Sequence, residues 1–260
     1  MGHLPVGSAF TPSVGQVTPG PMFGDFNVAH LVVWYLVFVF STTFHEYAHA
    51  YLAFRGGDLT AYEGGVLSLD PLPHIQRSPV GMVIVPLISY IQLSWMIGWA
   101  SVPFDPYWGR RYPRRQAVMS LAGPCANFLL AVLGIVALRV LLATDVFFPP
   151  HRPSFTQLVV LEPGADVRSI WAALAMLLSV LVNLNVLLGL FNLIPVPPLD
   201  GAGVVEGFGS RKVAEFYQKL RETPLFQLAG LIVAWQLFAF VVGPAFSLVL
   251  ALVHPDVTYR

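Results

Sequence analysis

The sequence predicts an all-α polytopic membrane protein. It should have about four full transmembrane helices, a re-entrant apolar segment at 80–102, and short β-strands at the membrane surface. Three observations carry this. Of its 260 residues, 56% are hydrophobic and only 11% are charged, against about 25% charged in an ordinary soluble domain. Four apolar stretches, at about 29–53, 116–142, 169–194 and 225–253, reach the roughly 20 residues that a helix needs to cross a bilayer. A fifth, at 80–102, is equally apolar but is broken by Pro86 and trails into IGWASVPFDP. The 14 basic residues are balanced by 14 acidic ones, which leaves no basic surface of the kind that binds nucleic acid. Cys125 is the sole cysteine, so neither an intrachain disulfide nor a cysteine-based metal site is expected.

Along the chain, residues 1–27 are rich in Gly and Pro and hold no Lys or Arg. Lacking the basic start of a signal peptide, they read as a flexible, uncleaved N-terminal segment. Residues 28–205 form the membrane-embedded core, and 206–260 add a surface helix and a C-terminal transmembrane helix. The first span ends in FSTTFHEYAHAYLAF (40–54). Segment 57–73, GDLTAYEGGVLSLDPLP, is short alternating material with turn residues and reads as one or two strands. The loop 143–167 is too short for a folded domain. In RKVAEFYQKLR (211–221), Val213, Phe216, Tyr217 and Leu220 share one helical face, as in an amphipathic helix lying on a membrane.

HEYAH carries the chemistry. On a helix, His45 and His49 lie one turn apart on one face, so both imidazoles can reach a single ion. Glu46 is offset by about 100° and is left to act on a water rather than on the ion. Two interfacial histidines bonding to backbone or headgroups are the plainer alternative. That alternative leaves unexplained an ionisable Glu46 near the end of an apolar span, where a charge costs about 2.5–3.5 kcal/mol. A catalytic zinc commonly has three protein ligands and one open position. Acidic residues are scarce here, and the best third ligand is Asp200 in FNLIPVPPLDG (191–201), directly after the span at 169–194. Pro195, Pro197 and Pro198 cannot continue a helix, and the extended chain can turn a carboxylate back toward the bilayer.

HEYAH, LAGPCANFLLA (121–131) and FNLIPVPPLDG, in that order, resemble the site-2 protease family of intramembrane zinc metalloproteases. GGVLSLDPLPHI and GWASVPFDP are similar to its compact branch without PDZ or CBS domains. The resemblance covers about residues 40–205. It implies one Zn²⁺ held by His45, His49 and Asp200, Glu46 as general base, and Asn192 as a donor to the oxyanion. Asn192 could alternatively make an interhelical hydrogen bond. The implied reaction is hydrolysis of peptide bonds in or near the transmembrane segments of membrane-protein substrates. Without a PDZ domain, substrate choice would fall to a separate regulator or adaptor, a prior cleavage, or instability of the substrate helix.

Other positions are open to two readings. Gly123 and Pro124 suit close helix approach. Asn127 either shares in that packing or faces the cavity and fixes substrate or a neighbouring loop. His74 is either a substrate or supporting contact, or an interfacial hydrogen-bonded histidine. Asn183 and Asn185 read as glue between spans. The strand-like stretches Ala61–Leu69 and Gly98–Phe104 could receive an unwound substrate by edge pairing.

Topology follows from the ligands. His49 lies near the C-terminal end of its span, and Asp200 follows the C-terminal end of another. To meet at one ion, these spans must run in the same direction, which requires 80–102 to enter the membrane and return. That arrangement puts Arg55, Arg77, Arg110, Arg111, Arg114, Arg115, Arg211, Lys212, Lys219 and Arg221 on the active-site side, and Arg139, Arg152, Arg168 and Arg260 opposite. The excess marks the active-site side of this multi-pass cell-membrane protein as cytoplasmic. Two other classes compete. A metal-ion transporter or channel would show polar residues along several spans, often with repeated halves, but no repeat is evident and the acidic residue next to His45 has no ligand role in transport. An inactive scaffold of the same fold sits poorly with the intact His45, Glu46, His49 and Asp200.

Overall fold

The structure is a computed structural model, and it describes residues 28–166 and 169–259. The N-terminal segment 1–27 lies outside the described residues. Ten α-helices follow in order: α1 (Val28–Arg55), α2 (Thr60–Glu63), α3 (Pro71–Arg77), α4 (Val85–Leu93), α5 (Pro106–Arg111), α6 (Pro113–Ala143), α7 (Ile170–Asn192), α8 (Asp200–Phe208), α9 (Arg211–Glu222) and α10 (Pro224–Val253). Helices α1, α6, α7 and α10 are long and apolar enough to cross a membrane. They match the four expected spans, and on this ground the protein is a multi-pass membrane protein.

Helix α6 is the centre of the bundle and packs against α1, α7 and α8. Close approach of α6 and α7 rests on Gly134, where a Cβ would stand 2.7 Å from Val182 Cγ2. One apolar cluster joins α1 and α7 through Trp34, Phe38, Val180 and Leu184, with Met82 and Tyr90 of the re-entrant segment. A second, at the other end, gathers Leu138, Phe147, Leu158, Val182 and Val249.

The segment 80–102 doubles back. It begins with a π-helical turn, Val80–Ile84, in which Val85 N–H donates to Val80 O. Pro86 lies in the first turn of α4, and the chain reverses at Ser94, whose φ of 60° is left-handed. The returning strand of chain lies against the entering one: Trp99 N–H donates to Gly81 O at 3.1 Å. Glycines make that contact possible, since a Cβ on either Gly81 or Gly98 would collide with the opposing backbone. Ser89 Oγ accepts from Ile97 N–H at 2.9 Å and donates to Pro86 O at 3.0 Å, which satisfies backbone at the reversal. An unpaired backbone group in lipid costs several kcal/mol, and these bonds remove that cost at the reversal.

Both ends of the segment therefore emerge together. Arg77 Nε donates to Ser101 O at 3.1 Å. Beyond it, Trp108 Nε1 and Arg115 Nη1 each donate to Gly56 O at 2.9 Å, and Asp105 N–H donates to Asp58 Oδ2 at 2.8 Å. The C-terminal end of α1 and the N-terminal end of α6 are thus at one level. With Cys125 replaced by serine, Arg55→Cys, Arg77→Cys and Arg111→Cys should all react with an impermeant thiol reagent from one face of a sealed vesicle. Reaction of Arg111→Cys from the opposite face would contradict this topology.

The expected surface strands are absent. Among the described residues, 57–73 holds α2, bends and the start of α3, and 98–104 is irregular. Among the described residues, β-pairing is limited to isolated bridges, Phe148 with Val160 and Ser154 with Gln157. The physical reason is local capping. Asp58 Oδ1 accepts from Thr60 N–H and Oγ1, and Asp70 Oδ1 accepts from Leu72 N–H at the Pro71 helix start. These side chains favour helical turns, and Gly65, at φ 71°, breaks the alternation between them.

Candidate metal centre

α1 turns His45 and His49 toward α6, and both are buried, with 7% and 6% exposure. His49 donates its Nδ1–H to Met119 O at 2.7 Å. A main-chain carbonyl only accepts, so neutral His49 keeps a lone pair on Nε2. His45 donates its Nδ1–H to Asn127 Oδ1 at 2.6 Å, which leaves its Nε2 in the same state. The two Nε2 atoms are 3.0 Å apart. Asp200 Oδ2 stands 3.1 Å from Nε2 of His45 and 3.3 Å from Nε2 of His49, and no hydrogen-bond donor satisfies it. Three acceptor atoms facing one another without a proton repel unless a cation lies among them.

Zinc fits this donor set. Three ligands at about 2.0–2.1 Å from a tetrahedral zinc lie roughly 3.3–3.4 Å from one another, close to the spacing here. The space is kept by Gly123 of α6: a Cβ there would fall onto Nε2 of both histidines. His45, His49 and Asp200 are also the metal-binding group found among the described residues.

Glycines in α8 bring Asp200 to the histidines. A Cβ on Gly203 would strike Ser120 Oγ, and one on Gly207 would strike Pro113 O. The helix therefore lies hard against α6. A Cβ on Gly201 would meet Leu193 O, which fixes the first turn of α8 against the end of α7. The proline-rich turn thus returns the carboxylate to the helix that carries Gly123.

Glu46 is 5% exposed on α1, one residue from His45 and off the ligand face. Asn127 is fully buried and contacts a ligand directly. Its Nδ2 donates to Asn185 Oδ1 at 2.8 Å, and Asn185 Nδ2 donates to Ser41 Oγ and to Leu181 O, each at 2.8 Å. Asn192, the last residue of α7, donates from Nδ2 to Leu188 O in its own helix at 3.0 Å. His74 is 1% exposed in α3 and hydrogen-bonds through Nε2 to Ser68 O at 2.9 Å. It anchors the loop before its own helix and is not among the metal-binding residues. Gly123 and Asn185 were legible only as packing residues. The missed signal is spacing, since Gly123 and Asn127 sit at i and i+4 on α6, opposite His45 and His49 at i and i+4 on α1.

Residues 33–234 match peptidase family M50. The chain belongs to that family. M50 is a family of zinc metalloproteases of the site-2 type, and this chain carries the corresponding donor set. Among curated relatives it is similar to YwhC of Bacillus subtilis, 31% identical over 173 residues, with 66% of each chain covered. It is also similar to Rip2 of Mycolicibacterium smegmatis, 30% identical over 177 residues, covering 64% of this chain and 53% of that one. With Rip2 of Mycobacterium tuberculosis it shares 28% identity over 206 residues, covering 79% and 67%. All three are provisionally named zinc metalloproteases. The chain spans about half to two thirds of the length of these relatives. No solved structure matches the chain significantly.

Proposed function

We propose that this M50 chain is an intramembrane zinc endopeptidase that hydrolyses peptide bonds in or near the transmembrane segments of membrane-protein substrates. The observation that carries this reading is the meeting of His45 and His49 with Asp200, buried between α1, α6 and α8.

When bound, zinc supplies Lewis acidity that polarises a carbonyl and acidifies water. His45, His49 and Asp200 hold it. Glu46 accepts the proton of the attacking water and returns it to the leaving amine, a role worth about 10²–10⁴ in rate. Asn192 spends one amide hydrogen on Leu188 O, and the second donates to the developing oxyanion. Asn127 acts behind His45, which supports a positioning role over a substrate contact. His74 holds the Ser68 loop, and a substrate role for it has no support from its contacts. Peptide substrates follow from the family, and burial of the site among helices apolar enough to cross a membrane supports membrane-spanning ones. A separate adaptor is consistent with this reading, and ten of the fourteen basic residues on the active-site side favour a cytoplasmic orientation.

The test is purified protein in lipid vesicles with a panel of single-span peptides. Cleavage should stop when a chelator removes the metal and return with added zinc. Undiminished cleavage in the metal-free protein, or zinc flux across the vesicle without any cleavage, would reject the proposal.

A further inference from the structure

We propose that Asn185 of α7 is a positioning residue: acting through Asn127, it fixes the tautomer of His45 and so the affinity of the site for its metal. Leu181 O sets the orientation of the Asn185 amide. This main-chain carbonyl can only accept, so the side of the Asn185 amide facing it, at 2.8 Å, must be Nδ2. Ser41 Oγ, also 2.8 Å from Nδ2, is compatible with that orientation. Oδ1 of Asn185 is then turned toward α6, where it must meet a donor. Asn127 supplies Nδ2 at 2.8 Å. Its own Oδ1 is thereby left for His45, 2.6 Å from Nδ1.

A neutral imidazole carries one N–H. Drawing it to Nδ1 leaves the lone pair on Nε2, the atom beside Asp200. Ser41, Asn127 and Asn185 are each 0% exposed, so water does not compete at any link. The relay thus runs from a backbone carbonyl of α7, through side chains of α7 and α6, to a metal ligand of α1. Without Asn185, the Asn127 amide can rotate and present Nδ2 to His45. The ring would then have to accept at Nδ1 and carry its proton on Nε2, where it cannot bind a metal. His49 needs no such relay, because Met119 O sets its tautomer alone.

This inference rests on the zinc reading but is measured as metal affinity, so a protein that binds zinc and cleaves nothing leaves it intact. Zinc affinity is read by competition with a chelator on the purified full chain in detergent. Asn185→Leu, with the same branching and number of side-chain heavy atoms, should weaken zinc about 10–100-fold, as loss of an outer hydrogen-bond partner typically does. In the cobalt-loaded protein, the visible ligand-field spectrum should change with it. A carboxylate at position 127 accepts from His45 in either orientation. The double variant Asn127→Asp with Asn185→Leu should therefore bind zinc within a few fold of wild type, a rescue that lost packing would not give. Asn185→Asp, whose buried carboxyl can keep one proton and imitate the amide, should also retain zinc, and it serves if Asn185→Leu does not fold. Zinc affinity unchanged in Asn185→Leu, no rescue in the double variant, or weak binding in folded Asn185→Asp would each overturn the proposal.

Discussion

Gly123→Ala should yield a folded protein that no longer holds zinc. Alanine is the better helix former by about 0.8–1.0 kcal/mol, so the α6 backbone has no reason to unravel. The added Cβ, however, falls on Nε2 of both His45 and His49, in the space where the ion must sit. The histidines cannot withdraw easily, because each is tied through Nδ1, one to Asn127 and the other to Met119 O. Metal analysis of the purified variant should find zinc close to zero per chain, with cleavage lost in parallel. The zinc-free variant should still unfold cooperatively, but at a lower temperature than zinc-free wild type, because both tied rings must shift to admit the methyl group. Wild-type zinc content in this variant would mean that the ion lies elsewhere.

Glu46→Gln should separate binding from chemistry. The amide keeps the shape of the carboxylate but cannot take a proton, so cleavage of a single-span peptide should fall by about 10²–10⁴ or more. Zinc content should stay at the wild-type level, since Glu46 lies off the ligand face of α1. Cleavage at the wild-type rate would remove Glu46 from the mechanism. Loss of zinc together with activity would instead make it a ligand.

Much of this site was legible in the sequence because its parts obey short-range rules. HEYAH needs only helical spacing to place two imidazoles together. Asp200 stood out as a carboxylate after a proline stop in a chain with few acids. Their union across 150 residues required parallel spans, and that requirement alone predicted the return of 80–102 now seen between Gly81 and Trp99. The strands failed for a different reason. Alternation in 57–73 suggested an edge, but a strand needs a partner, and Asp58 and Asp70 cap helical turns instead. The relay behind His45 could not be read at all. Its members come from α1, α6 and α7, and only the rotational register of three packed helices brings Ser41, Asn127 and Asn185 into line.

One ion is closed by two distant parts of the chain, and the zinc affinity of Asp200→Ala measures that closure. Chelator competition on the purified variant should give an affinity lower by at least about a hundredfold, since a direct ligand counts for more than the outer partners whose loss costs about 10–100-fold. An affinity equal to wild type would contradict the account, because His45 and His49 would then hold their metal without the carboxylate that α8 brings to them.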